Sequence, residues 1–515
     1  MSITPQVRLS KSAFVFAVGM LTASIWAAER PNILIAISDD QSWPHAGAYG
    51  DNSVSTPHFD RLAREGVLFT HAFCHASQCS PSRAAFLTGR NIWQMREAGT
   101  HASLFPADLA TYTDVLKDLG YFIGYTGKPW GPGSWKDGGR SENPCGTAYN
   151  ESKLEPPTNS ISDKDYAANF QAFLKDRPEG RPFHFWFGCH EPHRNFEAKS
   201  GFQAGKSIEE LELPSYWPDE PSIRSDFLDY KREIDWFDYQ LGKVLEVLEA
   251  TGEAENTLVI VTSDNGMPFP RAKANAYDAG MRVPMAIRWP KRIGAGRTID
   301  RLTSFIDIAP TLLDAVGVSD GFDATGGSLY PMLVDDESGS SHSGRGYVLL
   351  GKERHNYARP DNVGYPIRAI RTADYLYIRN LKPDRWPLGD PPWYLCHTKM
   401  DNPVKDRIIG LGPHRAAPSF YDMTYAKRPE QELYDVRSDP DNARNLASDP
   451  RYTNILEELD RALVDLLTEQ GDPRMRGKGD VFESYPYYQR LPEEGFPGFK
   501  EYGVYNEAFT AGAGD

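Results

Sequence analysis

Cysteine is scarce in this chain: five in 515 residues, at positions 74, 79, 145, 189 and 396, with no pair spaced as Cys-x-x-Cys. That argues against a disulfide-built scaffold and against a thiolate metal knuckle. Long apolar runs are also in short supply. The one candidate, Ala13 to Ala23, follows Arg8 and Lys11 and precedes Ala27-Ala28 and the polar Glu29-Arg30. It is too short to span a bilayer comfortably and reads as a secretory signal peptide over residues 1–28. The mature protein is therefore expected to be soluble and exported to a periplasmic, extracellular or lysosome-like compartment, with no membrane attachment beyond that peptide. Positive charge is in deficit as well. Lys and Arg number 56 against 71 Asp and Glu, a formal charge of -15 with a pI near 5.4, so the surface as a whole does not attract nucleic acid. An anionic substrate must be met by cations gathered locally.

What is present is an ordinary globular balance, 40% hydrophobic and 25% charged, on a chain too long for one core. Apolar runs at Asn32–Ser38, Tyr121–Tyr125, Phe183–Phe187 and Leu258–Thr262 alternate with helical stretches near Ser55–Gly66, Thr113–Leu119, Asp165–Lys175 and Arg224–Leu248. Unbroken apolar strands separated by helices predict an α/β domain, a large and mostly parallel sheet flanked by helices. Asp335 to Gly344 is rich in Ser, Gly and Asp and marks a boundary, giving a larger domain at 29–340 and a smaller one at 341–515. In the smaller one, closely spaced runs at Tyr347–Leu350, Ile367–Arg371, Tyr375–Ile378 and Glu432–Asp435 predict an antiparallel sheet in an α+β subdomain. The Tyr-, Pro- and Gly-rich tail after Gly471 is expected to wrap the surface.

The apolar runs stop at chemically useful residues. The first ends at Asp39-Asp40, the third at Gly188-Cys189-His190-Glu191-Pro192-His193, and the fourth at Ser263-Asp264-Asn265. Carboxyl ends of strands are where open α/β sheets place their ligands. Asp39, Asp40, Asp264 and Asn265 offer hard oxygens suited to Ca²⁺, or to Mg²⁺. Three carboxylates at one point also bring charge that a divalent cation would relieve.

Cys79-Ser80-Pro81-Ser82-Arg83, continued by Leu87-Thr88-Gly89-Arg90, resembles the signature of the type I sulfatases of the alkaline phosphatase superfamily. The resemblance implies that a maturation enzyme oxidises Cys79 to formylglycine, that the hydrated aldehyde is both nucleophile and metal ligand, and that Arg83 holds it. Thr126-Gly127-Lys128-Pro129-Trp130 resembles the family's Gly-Lys-Trp-His element, which makes Lys128 a sulfate-binding cation. Trp130 stands where the family has a histidine on the formylglycine diol. The His-x-Pro-His resemblance assigns His190 to the site as hydrogen-bond donor near the leaving atom and leaves His193 as structural support.

Pro268 to Pro284 resembles the segment carrying a second sulfate lysine, here Lys273, with Arg271 as the alternative. Lys-Pro-Trp and "DNGMPFPRAKANAYDAG" look closest to the heparan N-sulfatase branch, so a sulfated carbohydrate is the implied substrate. His101 and, in the stretch Lys352 to Asn362, Glu353, Arg354 and His355 are either sugar-facing residues or surface groups. An O-sulfatase of another glycan, a phosphonate or phosphate monoesterase of the same superfamily, and an inactive glycan-binding homologue are the alternatives.

Overall fold

The computed structural model describes residues 30–335, 345–391, 402–413 and 419–488. The signal-peptide reading, the boundary at 340–341, Cys396 and the end of the tail lie outside the described residues. Strands β1 (Asn32–Ser38), β2 (Val67–Phe73), β3 (Phe122–Gly127), β4 (Thr147–Ala148), β5 (Phe183–Gly188), β6 (Thr257–Ser263), β7 (Arg282–Arg288), β8 (Arg297–Ile299) and β9 (Thr303–Ser304) build one sheet. Its order is β4-β3-β5-β1-β6-β7-β2-β8, with β9 beside β2.

β1 lies in the middle, parallel to β5 on one side and β6 on the other. All seven of its residues are buried. Ile33, Ile35 and Ile37 enter the core on one face, while Leu34 and Ala36 enter the core on the other. The run shows no polar alternation because helices cover both faces. The Pro221–Ala250 helix closes the second face through Phe237, Leu241, Val244, Leu245 and Leu248. It begins earlier than the expected Arg224 because Pro221, at its first turn, needs no intrahelical donor.

The sheet is mostly parallel, as expected, with β7 the antiparallel exception: it opposes both β6 and β2. β7 holds Pro284 in an interior strand, and the register with β2 slips between Phe69 and Ala72, opposite that proline. The irregularity removes the need for the ladder donor that proline lacks.

β10 (Tyr347–Lys352), β11 (Ile367–Thr372), β12 (Tyr375–Asn380) and β13 (Gln431–Asp435) form the expected antiparallel sheet, in that order. Its inner residues Val348, Leu350, Ala369 and Leu376 join the same apolar cluster as Ile33, Phe86 and Ile308. The small sheet is thus packed into the main core, and Gly351 N–H donates to the His75 carbonyl across the junction at 3.0 Å.

Backbone approach sets the strand ends that carry the chemistry. Gly127, the last residue of β3, has φ +73°, and a Cβ there would lie 2.0 Å from the Gly188 carbonyl oxygen at the end of β5. The position therefore demands glycine twice, by conformation and by space. Gly127→Ala is expected to cost ~2 kcal/mol or more, measured by denaturant unfolding, and to shift the attached Lys128. Unchanged stability would show that β3 and β5 can separate without penalty.

Candidate functional site

Four neighbouring strands, β3, β5, β1 and β6, end at one edge, and each delivers polar side chains directly: Lys128 after β3, His190 and His193 after β5, Asp39 and Asp40 after β1, Asp264 and Asn265 after β6. The Cys79–Thr88 helix points its first residue at the same edge. All ten of its residues are buried, and it stops at Gly89 in a left-handed conformation. That geometry lets Arg83, one turn beyond Cys79, reach across the edge.

Asp39, Asp40 and Asp264 are each answered by a cation. Arg83 Nε donates to Asp264 Oδ2 at 2.8 Å, with Nη2 3.9 Å from Asp39 Oδ1. Lys128 Nζ donates to Asp39 Oδ2, and Lys273 Nζ to Asp40 Oδ1. Lys273 also lies 3.3 Å from Cys79 Sγ, which is 3.5 Å from Asp39 Oδ1. Asn265 Nδ2 donates to Asp40 Oδ1 at 2.6 Å and to Asp264 Oδ1 at 2.7 Å. The expected excess of negative charge is therefore not what argues for a cation, because three carboxylates meet three cations.

Burial opposes ionisation throughout, and the pairing overcomes it. Burial raises Asp39, yet Lys128, His193 and Arg83 together hold its carboxyl below the usual range. Lys128 and Lys273, which burial alone would discharge, are held above the ordinary lysine value by their carboxylates and by Cys79. The Cys79 thiol is pushed up to about 12 by burial against the pull of both lysines. As encoded, residue 79 is a neutral thiol and not a ready thiolate nucleophile.

The oxygens nevertheless fit a hard cation. One donor atom each from Asp39, Asp40 and Asp264 lies within 4.8 Å of the others, and the same holds for Asp39, Cys79 and His193. Asp40 Oδ2 and Asn265 Oδ1 are buried without a hydrogen-bond partner. Two orphaned acceptors in a buried site cost free energy that a cation would recover.

His193 is more than support. Its Nδ1 lies 2.6 Å from the Arg194 carbonyl, which can only accept, so Nδ1 carries a hydrogen, and Nε2 lies 3.8 Å from Asp40 Oδ2. Arg194 is itself fixed by a two-pronged pair with Asp226 at 2.8 and 2.7 Å. At His190, burial pulls the imidazole down to about 4, with Asp39 opposing and Lys128, Arg83 and His193 assisting. Both histidines reach the site, and His193 faces residue 79.

Trp130 is buried against Phe105, and its indole N–H donates to the Ser80 carbonyl at 3.1 Å. It braces the turn around Cys79, and its one donor is spent there. His101 and His355 come together, ring centres 4.5 Å apart, with His101 Nδ1 3.2 Å from the His355 carbonyl. Burial, then Lys273 and Lys128, keep His101 well below the usual histidine range.

Glu353 is a correction. It is fully buried, and its carboxylate is bound by Arg368 at 2.6 Å and by Arg474 at 3.0 Å. Both oxygens are consumed in an ion cluster that also holds Asp472, so Glu353 does not face a sugar. Arg271, the alternative to Lys273, donates to the Met423 and Asn442 carbonyls, away from the site.

Comparison with known proteins adds to this geometry. The family described as Sulfatase matches residues 31–318, more than half the chain, and that described as N-sulphoglucosamine sulphohydrolase, C-terminal, matches 272–392. An ulvan-active sulfatase of Formosa agariphila is 28% identical over 478 residues, 86% of this chain and 76% of its own. The N-sulphoglucosamine sulphohydrolase of Homo sapiens is 28% identical over 502 residues, 90% of this chain and 95% of its own. Among solved structures, one in complex with its substrate D-glucosamine-2-N,6-O-disulfate superposes with a TM-score of 0.60 at 22% identity, over 86% of this chain and 98% of that one. A 2-O GAG sulfatase gives 0.62 at 20% identity, over 91% and 99%. The two structures share the fold.

If the orphaned oxygens are a cation site, Ca²⁺ in excess over chelator should raise the melting temperature, with a stabilisation of about 2.7 kcal/mol at a hundred times Kd. Asp40→Asn should abolish the Ca²⁺-dependent part of the shift. A melting temperature indifferent to both Ca²⁺ and Mg²⁺ would rule the site out.

Proposed function

The chain belongs to the sulfatase family, and from that premise we propose that it hydrolyses a sulfate ester or sulfamate on a glycan, with N-sulfated glucosamine as the first candidate. The observation that carries the reading is the convergence of Cys79, a hard-oxygen set and two lysines on a single sheet edge. The glucosamine choice is supported by the match of residues 272–392 to the C-terminal family and by likeness to the human sulphohydrolase along nearly its whole length. On this reading the chain is exported after loss of residues 1–28, with the larger and smaller units divided near 340.

Residue 79, oxidised to formylglycine by a maturation enzyme and hydrated, would supply a hydroxyl to attack sulfur and a second to release sulfate as the aldehyde re-forms. In the structure the Cys79 sulfur stands in for that oxygen. Asp39, Asp40, Asp264 and Asn265 would hold Ca²⁺, or Mg²⁺, which when bound supplies positive charge beside the nucleophile and the sulfuryl oxygens.

The chain's own residues do the rest. Lys128 and Lys273 are the two lysine cations at the edge and are available to an anionic group once a cation satisfies their carboxylates. Arg83, bound to Asp264 and to the Lys128 and Pro129 carbonyls at 2.7 and 3.0 Å, keeps the edge from opening. His193, its Nδ1–H committed to Arg194, accepts or returns a proton at Nε2. His190 backs that exchange, and His101 with His355 lines the sugar side.

Two measurements test this. The peptide bearing residue 79, purified from a host with a maturation enzyme, should be lighter than the encoded one by one H₂S less one oxygen atom, and Cys79→Ala should abolish activity. An unmodified cysteine in an active enzyme sinks the formylglycine mechanism. A panel of N- and O-sulfated saccharides, with aryl sulfate and aryl phosphate, separates the substrate classes, and release of phosphate alone would overturn the sulfatase reading.

The two histidines separate by mutation. His193→Ala should lower kcat about a hundredfold or more, and His190→Ala less. The reverse order would return the proton transfer to His190.

A further inference from the structure

The end of the described chain returns to the catalytic edge. Asp472 is bound by Arg368, Arg474 by Glu353, and Glu483 by Arg385 and the Gly364 amide, which together fasten residues 472–483 to the small sheet. Beyond Phe482, which is buried, the segment leaves that sheet and crosses toward the loop that follows β10.

Arg354 holds the crossing. Its Nη1 and Nη2 donate to the Tyr485 and Pro486 carbonyls, both at 2.8 Å, and its guanidinium lies 5.3 Å from the Tyr487 ring centre. The side chain is 2% exposed, and among the described residues no carboxylate reaches it within ion-pair distance. A buried guanidinium spent on two backbone carbonyls is costly for stability alone. It is well suited to holding a strap in one register.

The strap reaches the site. Tyr488 N–H donates to the Ala102 carbonyl at 2.7 Å, and Ala102 N–H donates to Ser80 Oγ at 3.0 Å. Ala102 has φ +55°, a conformation a non-glycine residue keeps only when its surroundings fix it, and here both of its backbone polar groups are held. Ser80 follows Cys79, and His101 precedes Ala102. The Arg354 carbonyl is meanwhile held by Gln78, the residue before Cys79, at 3.2 Å. One segment thus ties the His101–His355 wall to both neighbours of the nucleophile.

We propose that residues 484–488 are a built-in wall of the saccharide pocket, with Arg354 and the Tyr488 amide as positioning residues that hold His101 and His355 against the sugar. This rests on the sulfatase reading above and adds that selection of the saccharide depends on the C-terminal strap. An ester with no sugar makes no use of the wall.

The test uses the full chain and compares 4-nitrophenyl sulfate with the saccharide turned over fastest in the panel. Arg354→Ala and Tyr488→Pro, which lacks the amide hydrogen, should raise KM for the saccharide by about ten- to a hundredfold with kcat within threefold, while kcat/KM for the aryl ester falls by less than threefold. Tyr488→Ala keeps the amide and should do less than the proline variant, and Arg354→Lys should recover part of the loss. Should Arg354→Ala fail to fold, the Tyr488 pair decides. Parallel loss on both substrates, or saccharide kinetics unmoved by Tyr488→Pro, overturns the strap. A wild-type chain inert toward every sulfated substrate overturns the sulfatase reading instead.

Discussion

The structure depends on a cluster of charges buried at the carboxyl edge of the sheet: Asp264 with Arg83, Asp39 with Lys128, Asp40 with Lys273. Moving any one of these groups out of water costs several kcal/mol, and removing one partner of such a pair costs about 3–5 kcal/mol because the other is left buried and unpaired. A protein seeking stability alone would fill that space with apolar side chains. Keeping six charges there is repaid if they recognise something, and on the proposed reading a cation with an anionic ester would do so with opposite signs at adjacent points.

The fold makes the cluster possible by bringing strand ends together. β1 has a parallel neighbour on each side, so polar residues that follow β5, β1 and β6 must emerge side by side, and β3 adds Lys128 beyond β5. Lys273 comes from the segment between β6 and β7, where Ala274 N–H donates to the Ser77 carbonyl at 2.9 Å and fixes the approach to residue 79. The reversal of β7 returns the chain across the sheet directly after that segment. Position is therefore set by backbone ladders, and the charged side chains inherit it.

This explains which parts were legible in the sequence. Asp39, Asp40, Asp264, Asn265 and Lys128 could be placed because each immediately follows an apolar strand, and strand direction alone sets where they emerge. The sheets could be read because both-face burial leaves unbroken apolar runs. The approach of His193 to Asp40 was not legible, since spacing does not show how a turn after Glu191-Pro192 aims its side chains. Glu353 was misread because its partners Arg368 and Arg474 lie 15 and 121 residues away, and sequence does not reveal which carboxylate a distant arginine claims. The electroneutrality of the cluster was hidden for the same reason.

Trp130 brings these points together. The indole is large, its one donor is spent on the Ser80 carbonyl, and its ring packs on Phe105, so it cannot exchange protons and cannot stand in for an imidazole. What it does is brace, from the buried side, the same Ser80 whose hydroxyl holds Ala102 from the other. A histidine in that place would serve residue 79 directly but leave the Ser80 turn without a large buried anchor. Here anchoring falls to the tryptophan, and on the proposed reading proton transfer falls to His193, a side chain whose Nδ1–H is held by the Arg194 carbonyl and whose ring is one-third exposed. A partly exposed imidazole exchanges protons with water more readily than a buried group, and that suits the proposed step in which sulfate leaves and the site is rehydrated before the next turnover.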